Sequence, residues 1–385
     1  MSIKKVPIRQ TLLPYGKQWI DEDDIQAVVE VLRGDYLTTG PIIEEFEQAL
    51  AKYVGAKYAV AFSSGTAALH AACFAAGISE GDEVITTPIT FAASANCVLY
   101  MGGKPVFADI DSRTYNIDPQ CIKEHITART KAIIPVDFTG QPADLDAILE
   151  IARAHNLVVI EDAAHALGAE YKGRRIGSIS DMTMFSFHPV KHITTGEGGA
   201  ITTNNEEYYE KLLQFRTHGI TRSPKKLSQN PGKWYYEMQF LGYNYRITDI
   251  QAALGLSQLK KLDMFVSKRR RIAEMYNQAF QLLNGVVIPY QDSNVNSSWH
   301  LYVIQLLNQD RNKIFDRLFQ ENIGVNVHYI PVYFHPYYQH LGYPRGICRV
   351  AEQFYQHAIT LPLFPSMTER DVEDVIEAVR KVLVT

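Results

Sequence analysis

Short β-rich runs alternate with helical stretches from about Tyr58 to Thr203. The runs are Tyr58–Phe62, Glu83–Thr87, Pro105–Ala108, Ala132–Val136, Leu157–Ile160, Met182–Phe185 and Ala200–Thr203. Between several of them lie Ala-rich or amphipathic segments such as Thr66–Ala76 and Asp144–His155. This alternation predicts βαβ units and an α/β fold with a mostly parallel central sheet, covered on both faces. Ligands bind beyond the carboxyl ends of such strands, so the loops after these runs are where chemistry is to be sought.

The texture changes after Thr248. A long polar–apolar stretch from Asp249 to about Leu283, broken near Asp263, reads as helix and leads away from the sheet. A second αβ region follows, with a strand at Trp299–Leu306, a helix at Lys313–Gln320 and a strand at Val325–Ile330. The closing helix puts Val372, Val375, Ile376, Val379 and Leu383 on one face, with Ser366 or Thr368 as its cap. The expected division is a large domain over residues 1–258 and a smaller αβ domain over residues 259–385.

Composition narrows the function classes. With 46% hydrophobic and 21% charged residues, the 385-residue chain can bury large cores. Its 38 basic and 42 acidic residues are interspersed, so no basic stripe points to nucleic acid. The four cysteines (Cys73, Cys97, Cys121 and Cys348) are scattered, which reads as free thiols of a reducing compartment. No run approaches about 18 apolar residues, so no membrane span is expected. Met1 to Tyr15 lacks the apolar core of a secretory leader, and a cytoplasmic location is the expectation.

The chemistry-bearing residues fall in the loops of the predicted sheet. In Phe185-Ser-Phe-His-Pro-Val-Lys191-His-Ile-Thr-Thr-Gly-Glu-Gly-Gly-Ala200, a hydroxyl at Ser186 ends a strand and Lys191 follows in a Gly/Thr-rich loop. An amine there can condense with an aldehyde cofactor, and Ser186 can donate to a phosphate; taken alone, Lys191 also fits an ordinary surface lysine. Glu161 and Asp162 end a buried apolar strand, so one faces the ligand crevice and the other faces away. The crevice acid can keep a pyridine nitrogen protonated, or it can cap a helix at Ala163-Ala164. Ser63-Ser-Gly65-Thr66 opens an Ala-rich helix whose free N–H groups make a phosphate cradle. Phe91 can stack on a flat ring or belong to the core. Asn244 and Arg246, just before a helix capped by Thr248 or Asp249, are loop donors suited to phosphate or carboxylate. No GxGxxG or GxxxxGK[ST] run is present, so dinucleotide and P-loop readings lack their fingerprint.

These segments resemble the sugar aminotransferases of the DegT/DnrJ/EryC1/StrS family over essentially the whole chain. The matching stretches are Leu37-Thr-Thr-Gly-Pro41, Ser63–Leu69, Pro88–Phe91, Glu161–His165, Phe185–Lys191, Glu197–Gly199, Gly242–Arg246 and Val327-His-Tyr329. The resemblance implies the type I aminotransferase fold and pyridoxal 5'-phosphate as cofactor. It assigns Lys191 as covalent anchor and then general acid/base, and Asp162 as partner of the pyridine nitrogen. Ser186, Thr66 and Gly65 bind the phosphate, Phe91 covers the ring, and His165 lies beside the ring hydroxyl. Asn244 reaches the phosphate in the neighbouring subunit, which implies a homodimer with shared sites; Thr39, Arg246, His328 and Tyr329 are assigned to substrate. His188 and His192 lack the further ligands of a metal site, so no metal is expected. Some relatives are dehydratases with histidine in place of the lysine; Lys191 argues for amino transfer.

The lysine loop, with Val327-His-Tyr-Ile-Pro-Val-Tyr333, looks most like the branch of the family that serves pseudaminic acid biosynthesis. That branch moves the amino group of L-glutamate to C4 of a UDP-linked 2-acetamido-2,6-dideoxy-4-keto-hexose. Enzymes making UDP-4-amino-4-deoxy-L-arabinose, or aminating dTDP-keto-sugars, are the alternatives within the family. A non-catalytic cofactor-binding regulator is the alternative of another class, because fold alone does not define function.

Overall fold

The computed structural model describes residues 6–384. Its main sheet has seven strands: β1 (Tyr58–Phe62), β2 (Glu83–Thr86), β3 (Lys104–Phe107), β4 (Thr130–Ile134), β5 (Val158–Asp162), β6 (Met182–Ser186) and β7 (Gly199–Thr203), in the order β1-β7-β6-β5-β4-β2-β3. The pairs among β3, β2, β4, β5 and β6 are parallel. β7 runs antiparallel to both β6 and β1. The reason is local: a parallel return needs a helical crossover, and residues 187–198 form a turn-rich loop instead. The lysine loop is therefore the reversal that carries the chain from the carboxyl end of β6 into β7.

The strand sequences read as continuous apolar runs because both sheet faces are covered. Val60, Phe62, Val84, Ile134, Ile160, Met184 and Ile201 pack with the Ala-rich helix α3 (Gly65–Ala75) and with α4 (Ala93–Tyr100). (Helices α1 and α2 are Glu22–Arg33 and Pro41–Val54.) Ala59, Ala61, Ile85, Ile133, Val159 and Phe185 pack on the other side with Phe46 and Leu50 of α2 and Ile148 of the helix Leu145–His155. A second core lies in the C-terminal part, where Val286–Val287, Tyr302–Leu306 and Ala358–Leu361 form an antiparallel sheet. Helices Leu262–Phe280, Arg311–Gln320 and Glu369–Val384 cover it, and Leu13 joins this core from the N-terminal segment.

Several local expectations shift. The long helical stretch breaks at Lys260–Lys261, where Lys261 reaches Asp21 at 2.6 Å and Asp24 at 2.7 Å. Residue 258 lies in the last turn of the helix Asp249–Leu259. Thr248 caps that helix, accepting from Gln251 N at 3.2 Å, whereas Asp249 turns back to hold the start of α2 through Gly40 N and Ile42 N. Thr368, not Ser366, caps the last helix, accepting from Asp371 N at 3.1 Å.

The strand predicted from Trp299 begins only at Tyr302, because the buried Arg269 guanidinium takes the carbonyls of Trp299 and His300 that a ladder would need. Residues 325–330 are not a strand. Only Asn326 bridges to Thr360, the His328–Tyr329 peptide is cis, and both side chains are committed elsewhere.

Candidate active site

A cavity of about 760 Å³ opens at the carboxyl ends of β5 and β6. Gly65, Thr66, Phe91, Asp162, His165, Ser186, Lys191, His328 and Tyr329 all line it. A second hollow of about 630 Å³, between α1, α2 and the helix Asp249–Leu259, contains none of these residues.

Lys191 follows a tight turn after β6, with its own N–H donating to His188 O at 2.9 Å. Burial pulls its amine down to about 8, partly opposed by the charge of Asp162. An amine in that range is available as a neutral nucleophile and as a proton carrier near neutral pH.

Asp162 is the last residue of β5 and is 5% exposed. Its Oδ2 accepts from Ser94 Oγ at 2.6 Å, and Ser94 is joined in turn to Thr90 Oγ1 at 2.7 Å. Its Oδ1 accepts from Ala164 N at 3.1 Å, the short-range cap that the sequence also allowed, although a turn and not a helix follows. Burial raises its pKa, and the Ser94 hydrogen bond works against that. Glu161 points to the opposite face, where Thr183 Oγ1 donates to it at 2.8 Å.

The phosphate-cradle segment has the shape its sequence predicts. Ser64 caps α3, accepting from Ala67 N at 3.1 Å, and leaves the first-turn N–H groups of Gly65 and Thr66 beside Ser186. Gly199 is required by contact: a Cβ there would fall 2.5 Å from Gly65 N and 2.6 Å from Gly65 Cα. Phe91 is 64% exposed at the cavity rim and so is not a core residue.

A group of histidines closes the inner side. His165 is hydrogen-bonded to Tyr329 OH at 3.1 Å, its ring lies 4.3 Å from that of His300, and its Nδ1 is buried without a partner. His192 is turned onto Ser298 O at 3.1 Å. Burial holds His165, His192 and His300 well below their usual pKa and lowers His328 to about 3. These rings are therefore neutral near pH 7.

The structure does not bring every candidate to this cavity. Thr39 donates to the adjacent Thr38 carbonyl at 2.7 Å, Asn244 is exposed and bridges Thr217, and Arg246 bridges Phe62; none lines the cavity of its own chain. Conversely, sequence reading missed Ser94, His300, Tyr15 and His335. A signal existed for two of these. Ser94 follows Thr90 by one helical turn, and His300 is a titratable residue at the head of an apolar run.

Pyridoxal phosphate fits this constellation. First-turn N–H groups of the helix at Gly65 and Thr66 stand beside the Ser186 hydroxyl, a buried carboxylate faces the cavity, and an amine of lowered basicity stands in the same space.

The architecture is that of a pyridoxal-phosphate-dependent transaminase. The sequence profile of the DegT/DnrJ/EryC1/StrS aminotransferase family matches residues 18–380, and the chain belongs to that family of sugar aminotransferases. It is 46% identical to the spore coat polysaccharide biosynthesis protein SpsC of Bacillus subtilis, covering 97% of this chain and 98% of SpsC. It is 39% identical to the UDP-4-amino-4,6-dideoxy-N-acetyl-beta-L-altrosamine transaminase of Campylobacter jejuni, again covering 97% and 98%. The solved structure of Helicobacter pylori PseC, an aminotransferase of pseudoaminic acid biosynthesis, is similar with a TM-score of 0.90 at 35% identity, covering 97% of this chain and 99% of PseC. Among the described residues no helix is long and apolar enough to cross a membrane.

Proposed function

We propose that this chain moves the amino group of L-glutamate to C4 of a UDP-linked 2-acetamido-2,6-dideoxy-4-keto-hexose, as a cytoplasmic homodimer with shared sites. What supports the substrate is the full-length likeness to a transaminase named for the aminated product of that reaction. SpsC, the more similar of the two sequence relatives, carries a name that specifies a polysaccharide and no sugar. What supports the dimer is exposed apolar surface between residues 234 and 241, where Trp234 is 70%, Met238 63% and Leu241 73% exposed.

In this reading Lys191 would be the covalent anchor, and its freed Nζ would take the proton from glutamate Cα in one half-reaction and deliver a proton to C4 of the sugar in the other. Asp162 would hold the ring nitrogen in its protonated form, and Ser94 holds Asp162. Gly65, Thr66 and Ser186 would receive the phosphate in their own chain, and Asn244 would reach it from across the dimer. Phe91 would cover the ring from the rim, and His165, positioned by Tyr329, would serve the ring hydroxyl. Thr39, Arg246, His328 and Tyr329 contact the sugar nucleotide. Pyridoxal phosphate itself supplies an aldehyde for attachment and a pyridinium ring that accepts an electron pair. The division into a cofactor-binding domain to residue 258 and a small domain from residue 259 belongs to the same proposal.

The test incubates purified protein and glutamate with a panel of UDP- and dTDP-linked keto-sugars, with mass spectrometry of the products. Amination of the UDP-linked 4-keto substrate is the expected result, and amination of only a dTDP-sugar would refute the assignment. A regulator that merely binds the cofactor would keep its visible absorbance when glutamate is added.

A further inference from the structure

Two acids outside the catalytic set lie on the side of β5 opposite Asp162. Glu161 and Asp137 are both fully buried. In the parallel register Ile133 aligns with Val159, and the bridge between Val136 and Asp162 continues it, so Asp137 and Glu161 project from the same face of the sheet. Their surroundings are apolar, with Ile133, Val159, Ala143, Leu145 and Ala163 in the same packing cluster. One oxygen of each acid has an ordinary donor: Glu161 Oε2 accepts from Thr183 Oγ1 at 2.8 Å, and Asp137 Oδ1 from Ala143 N at 2.9 Å. The remaining oxygens, Asp137 Oδ2 and Glu161 Oε1, are buried without a donor, and the charge of Glu161 bears directly on Asp137 across their shared face.

The groups acting on the pair are Thr183 and Ser180 on the β6 side, the Ala143 amide, and the Asp162 carboxylate behind the strand. None is a cation. Two bare carboxylates in such a setting repel strongly, and an unpaired buried charge is not tolerated. We propose that Asp137 and Glu161 share one proton, one acid donating to the other's carboxylate, and that this pair is a positioning element that fixes the turn at residues 137–143 against β5. Burial and the neighbouring Glu161 push the Asp137 carboxyl well above the usual carboxylate range, in keeping with this.

The turn matters because the active-site histidines are seated on it. Thr139 and Gly140 adopt φ of 62° and 101°. A Cβ on Gly140 would fall 2.8 Å from His165 O and 2.9 Å from His300 N. Ser298 N donates to Gly140 O at 3.1 Å, and Leu301 N donates to Thr139 O at 3.2 Å. Loosening the turn thus displaces His165 and His300 together, and it also bears on the backbone of Asp162, whose carbonyl accepts from Asp137 N at 3.1 Å.

The experiment uses the holoenzyme and reads infrared difference spectra alongside cofactor retention, so it does not depend on which sugar is aminated. Wild type minus Asp137→Asn should show the C=O band of one protonated carboxylic acid, sensitive to D₂O, and wild type minus Glu161→Gln should show the same. The Asn amide donates in the proton's place, so D137N should keep its affinity for pyridoxal phosphate within about twofold and its visible circular dichroism intact. Asp137→Ala leaves Glu161 unpaired and should weaken cofactor affinity by about tenfold or more. If D137A does not fold, the infrared comparison and D137N still decide. Absence of the band from both difference spectra, or a band that persists in D137N, would overturn the shared proton. A D137N protein that loses cofactor as readily as D137A would overturn the positioning role.

Discussion

Ser94→Ala tests the electrostatic half of the site with little change in shape. Ser94 Oγ donates to Asp162 Oδ2 at 2.6 Å between two buried side chains. A hydrogen bond of this charge-assisted kind contributes about 2 kcal/mol to holding the ionised carboxyl. Since about 1.4 kcal/mol corresponds to tenfold in an equilibrium, its loss moves Asp162 by about thirtyfold toward the protonated form. Burial already raises this carboxyl's pKa and Ser94 is the leading opposing influence, so removing the serine raises it further. The defect therefore appears at the acid end and fades as pH rises and the carboxyl ionises in both proteins. The assay is the dissociation constant of pyridoxal phosphate across pH, with thermal stability of the apoprotein as the control for packing. An unmoved acid limb, or a loss of equal size at every pH, would refute the reasoning.

Three further outcomes follow from the same geometry. Gly199→Ala puts a methyl group against the Gly65 backbone, so the cradle must shift; a loss of about 1–3 kcal/mol in stability and release of cofactor on dialysis are expected, read by melting temperature and absorbance. Tyr329→Phe removes the hydroxyl at 3.1 Å from His165 Nε2; a fall of about three- to tenfold in kcat with cofactor retained is expected in steady-state assays. The Lys191 amine is pulled down to about 8 in the fold from an ordinary 10.5, so between those values the unfolded chain holds the extra proton. This group makes apoprotein stability rise with pH across that window. Lys191→Met should therefore be stabilised relative to wild type at pH 7, with the difference shrinking toward pH 10 in chemical denaturation; a constant difference would contradict the buried amine.

Much of the architecture was legible because it rests on local pattern. β1 matches its apolar run, and Asp162 and Glu161 divide between the two faces as strand alternation demands. Lys191 stood out only in conjunction with Asp162 and the Ser63–Thr66 segment, and the structure lines one cavity with Lys191, Asp162 and Ser64–Thr66. What was not legible depends on partners distant in sequence. Trp299–His300 looked like strand until Arg269 claimed its carbonyls, and Val325–Ile330 alternates like a strand although its side chains serve the cavity. Asp249 read as a cap for its own helix, yet it binds residues 40 and 42, which no local pattern reveals. The spacing of Ser94 from Thr90 was a sequence signal, but its partner Asp162 comes from a distant strand and shows only in the fold.

The central claim is that Lys191 carries the cofactor and exchanges it for substrate. Borohydride reduction of the holoenzyme, followed by proteolysis and mass spectrometry, tests it most directly. The account predicts a pyridoxyl group on the peptide containing Lys191, and its disappearance when glutamate is added before reduction. A pyridoxyl group on any other lysine, or one on Lys191 that glutamate leaves untouched, would contradict it.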